Sequence, residues 1–181
     1  PDEALEYLKV ASSGYPVPDP ADIVNFTNWT DLYLQGYFKL SEYCNDLGVV
    51  GDKDYREVAI QVFTEMPELV ATACWERKFG HLALLQRARC HMGLGEYDQA
   101  MDLAIRVSLK GEELTGSTDW GAATAYTANR LLTEIIAEAS AAGGGMVGEV
   151  ARQFGVNWQL LISQIISFCL VAFLLHRFAY K

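Results

Sequence analysis

The hydrophobic and polar residues of this chain follow two different patterns, which meet near Gly143. Upstream of that point, apolar residues recur every three or four positions, as in helices that turn one face toward a core. Downstream, the eighteen residues from Trp158 to Leu175 include no charged side chain. As a helix this run covers about 27 Å, close to the ~30 Å hydrocarbon layer of a bilayer. We therefore predict a helical body followed by a transmembrane helix, with a buried core helix as the alternative for the uncharged run.

The predicted fold class is all-α, with antiparallel helical hairpins followed by a single transmembrane helix. Apolar spacing, with glycine, proline or asparagine at the breaks, predicts helices over about 1–10, 29–47, 54–66, a segment ending near 92, 96–109 and 119–142. Asn28 or Thr30 is expected to cap the helix that begins near Trp29, because both side chains accept hydrogen bonds from a first helical turn. No strand pattern with alternating residues and a turn signal occurs.

Three regions follow from these patterns. Residues 1–142 are predicted to form a helical repeat-like domain, 143–157 a glycine-rich linker with an interfacial segment, and 158–181 the transmembrane helix with its basic C-terminal end. The charge divides in the same way: residues 1–142 carry 22 acidic and 11 basic residues, net −11, and residues 143–181 are net +2. Nucleic acid binds to basic patches, so an acidic body predicts no nucleic-acid partner.

The polar residues predict no catalytic site, cofactor or metal. Histidines and cysteines in the middle of the chain fit no common metal spacing, and buried thiols are the favoured interpretation: Cys74, His81, Cys90 and His91. The acidic residues nearby, Glu65, Glu68 and Glu76, come with no nucleophile motif or phosphate loop. We interpret them as the solvated faces of helices and expect no enzymatic activity.

The segment from Leu84 to Leu109 resembles a tetratricopeptide repeat through Leu84, Ala88, Gly95, Tyr97 and Ala100. Small residues at 88 and 100 let two antiparallel helices approach closely, glycine at 95 supplies the turn, and Tyr97 packs back against the first helix. His91 departs from the pattern, since the family usually has an aromatic residue there. The resemblance implies tetratricopeptide-like hairpins that bind a protein or peptide ligand; the alternative is a non-repeating helical bundle.

A second resemblance is carried by three features: Phe154–Trp158, the uncharged run, and the closing Phe178–Lys181. With these features, Val147–Lys181 is similar to the N-terminal membrane anchor of subunit b of the F-type proton-translocating ATP synthase. The resemblance implies a non-catalytic anchor of the peripheral stalk, in which residues 158–181 are the transmembrane helix and the start of a truncated stalk. Its expected partners are the lipid bilayer, other membrane-sector subunits of the synthase and a second b-type subunit.

Aromatic and basic side chains are expected to anchor this helix in the membrane: Trp158, Phe168, Phe173, Arg177, Tyr180 and Lys181. Polar or small side chains recur along one face, which favours contact with another helix: Gln159, Ser163, Gln164 and Ser167. His176, Arg177 and Lys181 outweigh the balanced pair Glu149 and Arg152, which predicts a cytoplasmic C-terminus. The expected location is a bacterial inner membrane, crossed once.

The acidic body is unusual for a stalk subunit, because members of that family have only a short segment before the anchor. One hypothesis is that the subunit begins near Met146, and that the body belongs to a neighbouring reading frame or a fused module. The competing interpretation is a tail-anchored tetratricopeptide-like scaffold unrelated to ATP synthesis, with its body in the cytoplasm.

Overall fold

The structure is a computed structural model, and it describes residues 1–3, 5, 6, 9 and 18–142. The predictions for the linker, the Trp158–Leu175 span, its anchor residues and its polar face lie outside the described residues. Among the described helices, none combines the length and the apolar character needed to cross a bilayer. Residues Pro1–Glu138 form one compact unit.

The described part of the chain is mostly helical, which confirms the all-α class. Between residues 18 and 142 the α-helices are α1 (Ile23–Leu47), α2 (Tyr55–Thr64), α3 (Glu68–Ala73), α4 (Lys78–Gly93), α5 (Tyr97–Glu113) and α6 (Gly121–Ala141). Short 3-10 helices follow α3 at Cys74–Glu76 and α5 at Leu114–Gly116.

A small antiparallel hairpin joins α1 to α2, where the sequence pattern predicts no strand. Strand β1 (Val49–Val50) pairs with β2 (Lys53–Asp54). Each strand has two residues, which is too short for an alternating pattern to be visible. Gly51 stands in the turn with a φ of 68°, in the left-handed region that glycine enters without steric cost.

The cap predicted for the first long helix is wrong, because α1 begins six residues earlier than expected, at Ile23. Asp22 caps it, and its carboxylate accepts a hydrogen bond from the Asn25 amide at 3.2 Å. Asn28 and Thr30 lie inside the helix, where the Thr30 hydroxyl donates to the Phe26 carbonyl at 2.8 Å. Aspartate and threonine both cap helices, so residue type alone does not select between the two starts.

The segment predicted as one helix ending near Met92 is divided into α3, a 3-10 turn and α4. The division occurs at Arg77, whose backbone is extended, with φ −125° and ψ 140°. The chain then turns back so closely that a β-carbon at Gly80 would overlap the backbone of Cys74. Glycine therefore allows α4 to start against the segment that precedes it.

Helix α4 lies at the centre of the unit and packs against α1, α2 and α5. Its buried residues cover a wide face of the helix: Gly80, His81, Ala83, Leu84, Leu85, Ala88, Cys90 and His91. On the remaining face Leu82, Gln86 and Arg89 are partly exposed. Because the buried face includes the polar side chains of His81 and His91, the sequence of α4 shows weak amphipathicity. The core on one side includes Leu34 and Tyr37 of α1, and Leu131 of α6.

Candidate interaction site

Helices α4 and α5 form a hairpin joined by three residues, Leu94–Glu96. Of the residues that match the tetratricopeptide pattern, Leu84, Ala88 and Ala100 have no exposed surface and belong to the same core cluster. Gly95 has a φ of 76°, and its amide donates to the Met92 carbonyl at 3.0 Å. Tyr97 is partly buried against that core. The hairpin therefore brings all five residues to its interface and turn.

His91, which departs from the repeat pattern, makes two contacts that stabilise the same turn. Its Nδ1 lies 2.6 Å from Oε2 of Glu96, and its carbonyl accepts a hydrogen bond from the Glu96 amide at 2.9 Å. A carboxylate only accepts, so Nδ1 carries the proton in this bond. The histidine thus holds the end of α4 to the start of α5 by a polar contact.

Two clefts run along α5 and share Arg106, and we call them together the α5 groove. The first is an open cleft of about 420 Å³, with a wall of Arg87, His91, Asp98, Gln99, Asp102, Leu103 and Arg106. The second is a more open depression of about 370 Å³, with a wall of Trp75, Glu76, Arg106, Leu109, Lys110 and Glu113. The groove therefore combines cations, carboxylates and an apolar patch, supplied by α5, α4 and the 3-10 helix Cys74–Glu76.

Arg87 is a cation in this groove without a carboxylate partner among the described residues. Of the eleven lysines and arginines in residues 1–142, nine make ion pairs, and the exceptions are Lys78 and Arg87. The Arg87 guanidinium lies over the Phe63 ring at 4.0 Å from its centroid. Its Nε is buried and has no hydrogen-bond partner. Burial lowers the pKa of Arg87.

Arg106 and Trp75 form the junction of the two clefts. The guanidinium carbon of Arg106 lies 4.3 Å from the Trp75 ring centroid, and Nη1 lies 3.4 Å from the Asp102 carboxylate. Beside them Leu109 is 62% exposed, which is high for a leucine on a packed helix. Trp75 and Leu109 thus offer an apolar surface next to charged groups, the composition typical of protein-binding surfaces.

His81 is buried and contacts the backbone of Trp75, which helps to position that residue. His81 has no exposed surface; its Nε2 lies 2.8 Å from the Trp75 carbonyl, and its Nδ1 lies 3.2 Å from the Thr124 hydroxyl. Because a carbonyl only accepts, Nε2 donates this bond. The ring also meets Trp120 edge-on at 5.0 Å. Burial lowers the pKa of His81, which keeps the imidazole neutral.

The remaining groups weighed as catalytic or metal-binding candidates are dispersed. Glu76 pairs with Lys110 at 2.8 Å, and His81 is enclosed in the core. Within the described residues, no three histidine, cysteine, aspartate or glutamate side chains are arranged to hold a metal ion. Burial raises the pKa of Cys44 to about 11, and those of Cys74 and Cys90 to about 12, so these thiols are poor nucleophiles.

The chain matches no protein family, no curated protein and no solved structure with which it was compared. The site is therefore defined by its geometry. Sequence reasoning missed Arg87. Helical spacing places this arginine on the same face as Leu84 and His91, but the sequence does not show that it lacks a carboxylate partner within the chain. The predicted anchor and helix-contact residues, from Trp158 to Lys181, lie outside the described residues.

Proposed function

We propose that this chain is a non-catalytic, membrane-tethered scaffold whose tetratricopeptide-like body binds another protein. The observation that carries the proposal is the α5 groove, where exposed Leu109 and partly buried Trp75 lie beside Arg106, and Arg87 lines the adjoining cleft. Surfaces that bind proteins combine such apolar and arginine contacts. The membrane tether is the predicted helix in residues 158–181.

The hairpin suits this role because it presents the groove on a fixed backbone. Ala88 and Ala100 are fully buried between the two helices, and Arg89 of α4 pairs with Glu134 of α6 at 3.1 Å. At the other end of α5, a β-carbon at Gly111 would lie 2.9 Å from the Gly121 carbonyl. A partner therefore meets a preformed surface, which reduces the entropic cost of binding.

A photo-crosslinking amino acid at position 109 tests the proposal in cells that produce the full chain. We expect the Leu109 position to give a discrete crosslinked product with the same protein in repeated experiments. The matched control is Val49, an equally exposed apolar residue at 60% in the β1–β2 hairpin, which we expect to give none. Equal products at both positions, or none at 109, would contradict the scaffold.

The second candidate is the anchor of an ATP synthase peripheral stalk, and its support is the sequence of Val147–Lys181 rather than the helical body. In that case ATP synthase purified from membranes of the source cells contains peptides from Val147–Lys181. If peptides from residues 1–142 are found in the same gel band of the purified complex, they would support a fused module. Absence of the anchor peptides from the complex would exclude this role.

Membrane topology separates the two candidates. The stalk anchor predicts a cytoplasmic C-terminus, and the tail-anchored scaffold a cytoplasmic body. Native cysteines are unsuitable reporters, because Cys44, Cys74 and Cys90 are buried. We therefore choose Asp52→Cys, in the exposed turn of the hairpin. Labelling by an impermeant reagent only after permeabilisation supports the scaffold, and labelling of intact spheroplasts supports the stalk topology.

A further inference from the structure

We propose that the α5 groove recognises an acidic segment of its protein partner, with an aspartate or glutamate side chain of that segment bound to Arg87. This inference rests on the proposed scaffold function and names the chemistry of its partner. The adjacent apolar patch would take a neighbouring hydrophobic side chain of the same segment.

Arg87 is suited to a carboxylate from outside the chain because it makes no ion pair with any carboxylate of the described residues, including Asp98 and Asp102 in the same cleft. The guanidinium lies against Phe63 at 4.0 Å from the ring centroid, which fixes the plane of its donors. Arginine prefers carboxylates with two parallel hydrogen bonds, and a desolvated cation gains most from such a partner. Every other arginine of the described residues already makes an ion pair within the chain.

The second cleft determines which side chain of the partner segment can bind next to that carboxylate. Arg106 is shared by both clefts and lies over the Trp75 ring at 4.3 Å from its centroid, and Leu109 and Trp75 supply the apolar part of the wall of the second cleft. An extended segment with an acidic residue followed by a large apolar residue would fill both clefts. A phosphate backbone is disfavoured, because binding it requires several available cations, and Arg106 and Lys110 are already paired.

The first cleft also contains carboxylates that oppose this ligand. Asp102 is paired with Arg106 at 3.4 Å, whereas Asp98 makes no ion pair with any described cation. Because no described cation neutralises Asp98, its negative charge repels an incoming carboxylate. Removal of the Asp98 charge should strengthen binding of the acidic segment, whereas removal of the Arg87 charge should weaken it. The two substitutions therefore test the proposal in opposite directions.

Selection of random twelve-residue peptides on phage, against the purified full chain in mild detergent, identifies the probe. We expect the selected peptides to carry Asp or Glu next to Leu, Phe or Met. A selected peptide is then synthesised with an amidated C-terminus, so that a side chain supplies the carboxylate. Its counterpart with Asn or Gln at the acidic position should bind about tenfold more weakly.

Variants of the chain assign the effect to the groove. Arg87→Gln should weaken binding of the acidic peptide by about tenfold or more, and Arg87→Lys, which keeps the charge, by less. Asp98→Asn should strengthen it. The control is Arg130→Gln, which removes an exposed arginine that pairs with Glu134 at 3.8 Å, and it should leave binding unchanged. Circular dichroism checks that each variant remains folded.

The outcomes separate this inference from the scaffold itself. Two results would overturn the acidic-segment proposal while leaving a protein-binding groove. One is the selection of peptides without acidic residues. The other is a peptide that binds Arg87→Gln and Arg87→Lys as tightly as it binds the original chain. Failure to select any peptide would also overturn it, and the crosslinking result at Leu109 would then decide on the scaffold alone.

Discussion

His81 illustrates how a single buried side chain makes the stability of this fold depend on pH. The imidazole donates to the Trp75 carbonyl and contacts Thr124. Burial, its largest influence, lowers its pKa below the ordinary 6.5, against smaller opposing effects that include Glu76. In the unfolded chain the ring takes up a proton at higher pH than in the folded chain. Protonation therefore favours unfolding as the pH falls below about 6.5.

We expect the melting temperature of the purified chain to fall between pH 7.5 and pH 5.5, and His81→Gln to reduce that dependence. Glutamine is uncharged across this range and retains an amide donor for the carbonyl. Thermal unfolding followed by circular dichroism at several pH values measures both slopes. Equal slopes for the two proteins would show that other groups control the pH dependence.

Glycine at position 80 is required for a different reason, the close approach of two backbones. Gly80→Ala should destabilise the fold by about 1–3 kcal/mol, because the new methyl group would overlap Cys74 and force α4 to shift. Gly116→Ala is the matched control, since nothing lies within 4 Å of a β-carbon there. Urea denaturation gives the free energy of unfolding of both variants, and a similar small loss in each would refute the packing argument.

At the scale of elements, α4 organises the fold because it is the helix that α1, α2 and α5 all contact. Ala88 of α4 and Ala100 of α5 have no exposed surface. Their small side chains determine how closely the two helices of the hairpin approach each other. The distance between these helices in turn determines the positions of the residues that line the α5 groove.

Ala88→Leu should therefore cost about 1–3 kcal/mol of unfolding free energy and should also weaken binding in the α5 groove. The same change at Ala122, an exposed residue of α6, should cost about 0.5 kcal/mol or less. Chemical denaturation and peptide titration measure the two effects. A well-tolerated leucine at 88 would indicate that the helices separate easily.

The helices that sequence predicts best are those with a clear apolar stripe and a strong break, such as α5 with Gly95 before it. The start of α1 and the division between α3 and α4 are predicted poorly. Asp22 and Thr30 have equivalent capping chemistry, and the extended conformation of Arg77 depends on tertiary packing around Gly80. The Arg87 site is absent from sequence reasoning for a similar reason: its unpaired state depends on where other helices place their carboxylates.

For the whole molecule, the buried thiols report global unfolding. Cys44, Cys74 and Cys90 are buried, and burial raises their pKa to about 11, 12 and 12. In a Cys169→Ser background, we expect these three to react very slowly with Ellman's reagent at pH 8 and to react completely in urea. Rapid reaction of any of them without denaturant would indicate local opening of the helix that carries it.

The pairing of nearly all basic residues has a kinetic consequence for the groove. Residues 1–142 carry an excess of eleven negative charges, and nearly all of their cations are paired with neighbours, so no cluster of unpaired cations offsets the long-range repulsion of an acidic partner. The field extends about 30 Å at 0.01 M salt and about 8 Å at 0.15 M, so salt should accelerate encounter. The contact at Arg87 acts at short range, where salt screens least, so the dissociation rate constant should change much less than the association rate constant. A partner bound through one local cation on a repelling surface would thus associate faster as the ionic strength rises, with little change in its dissociation rate constant.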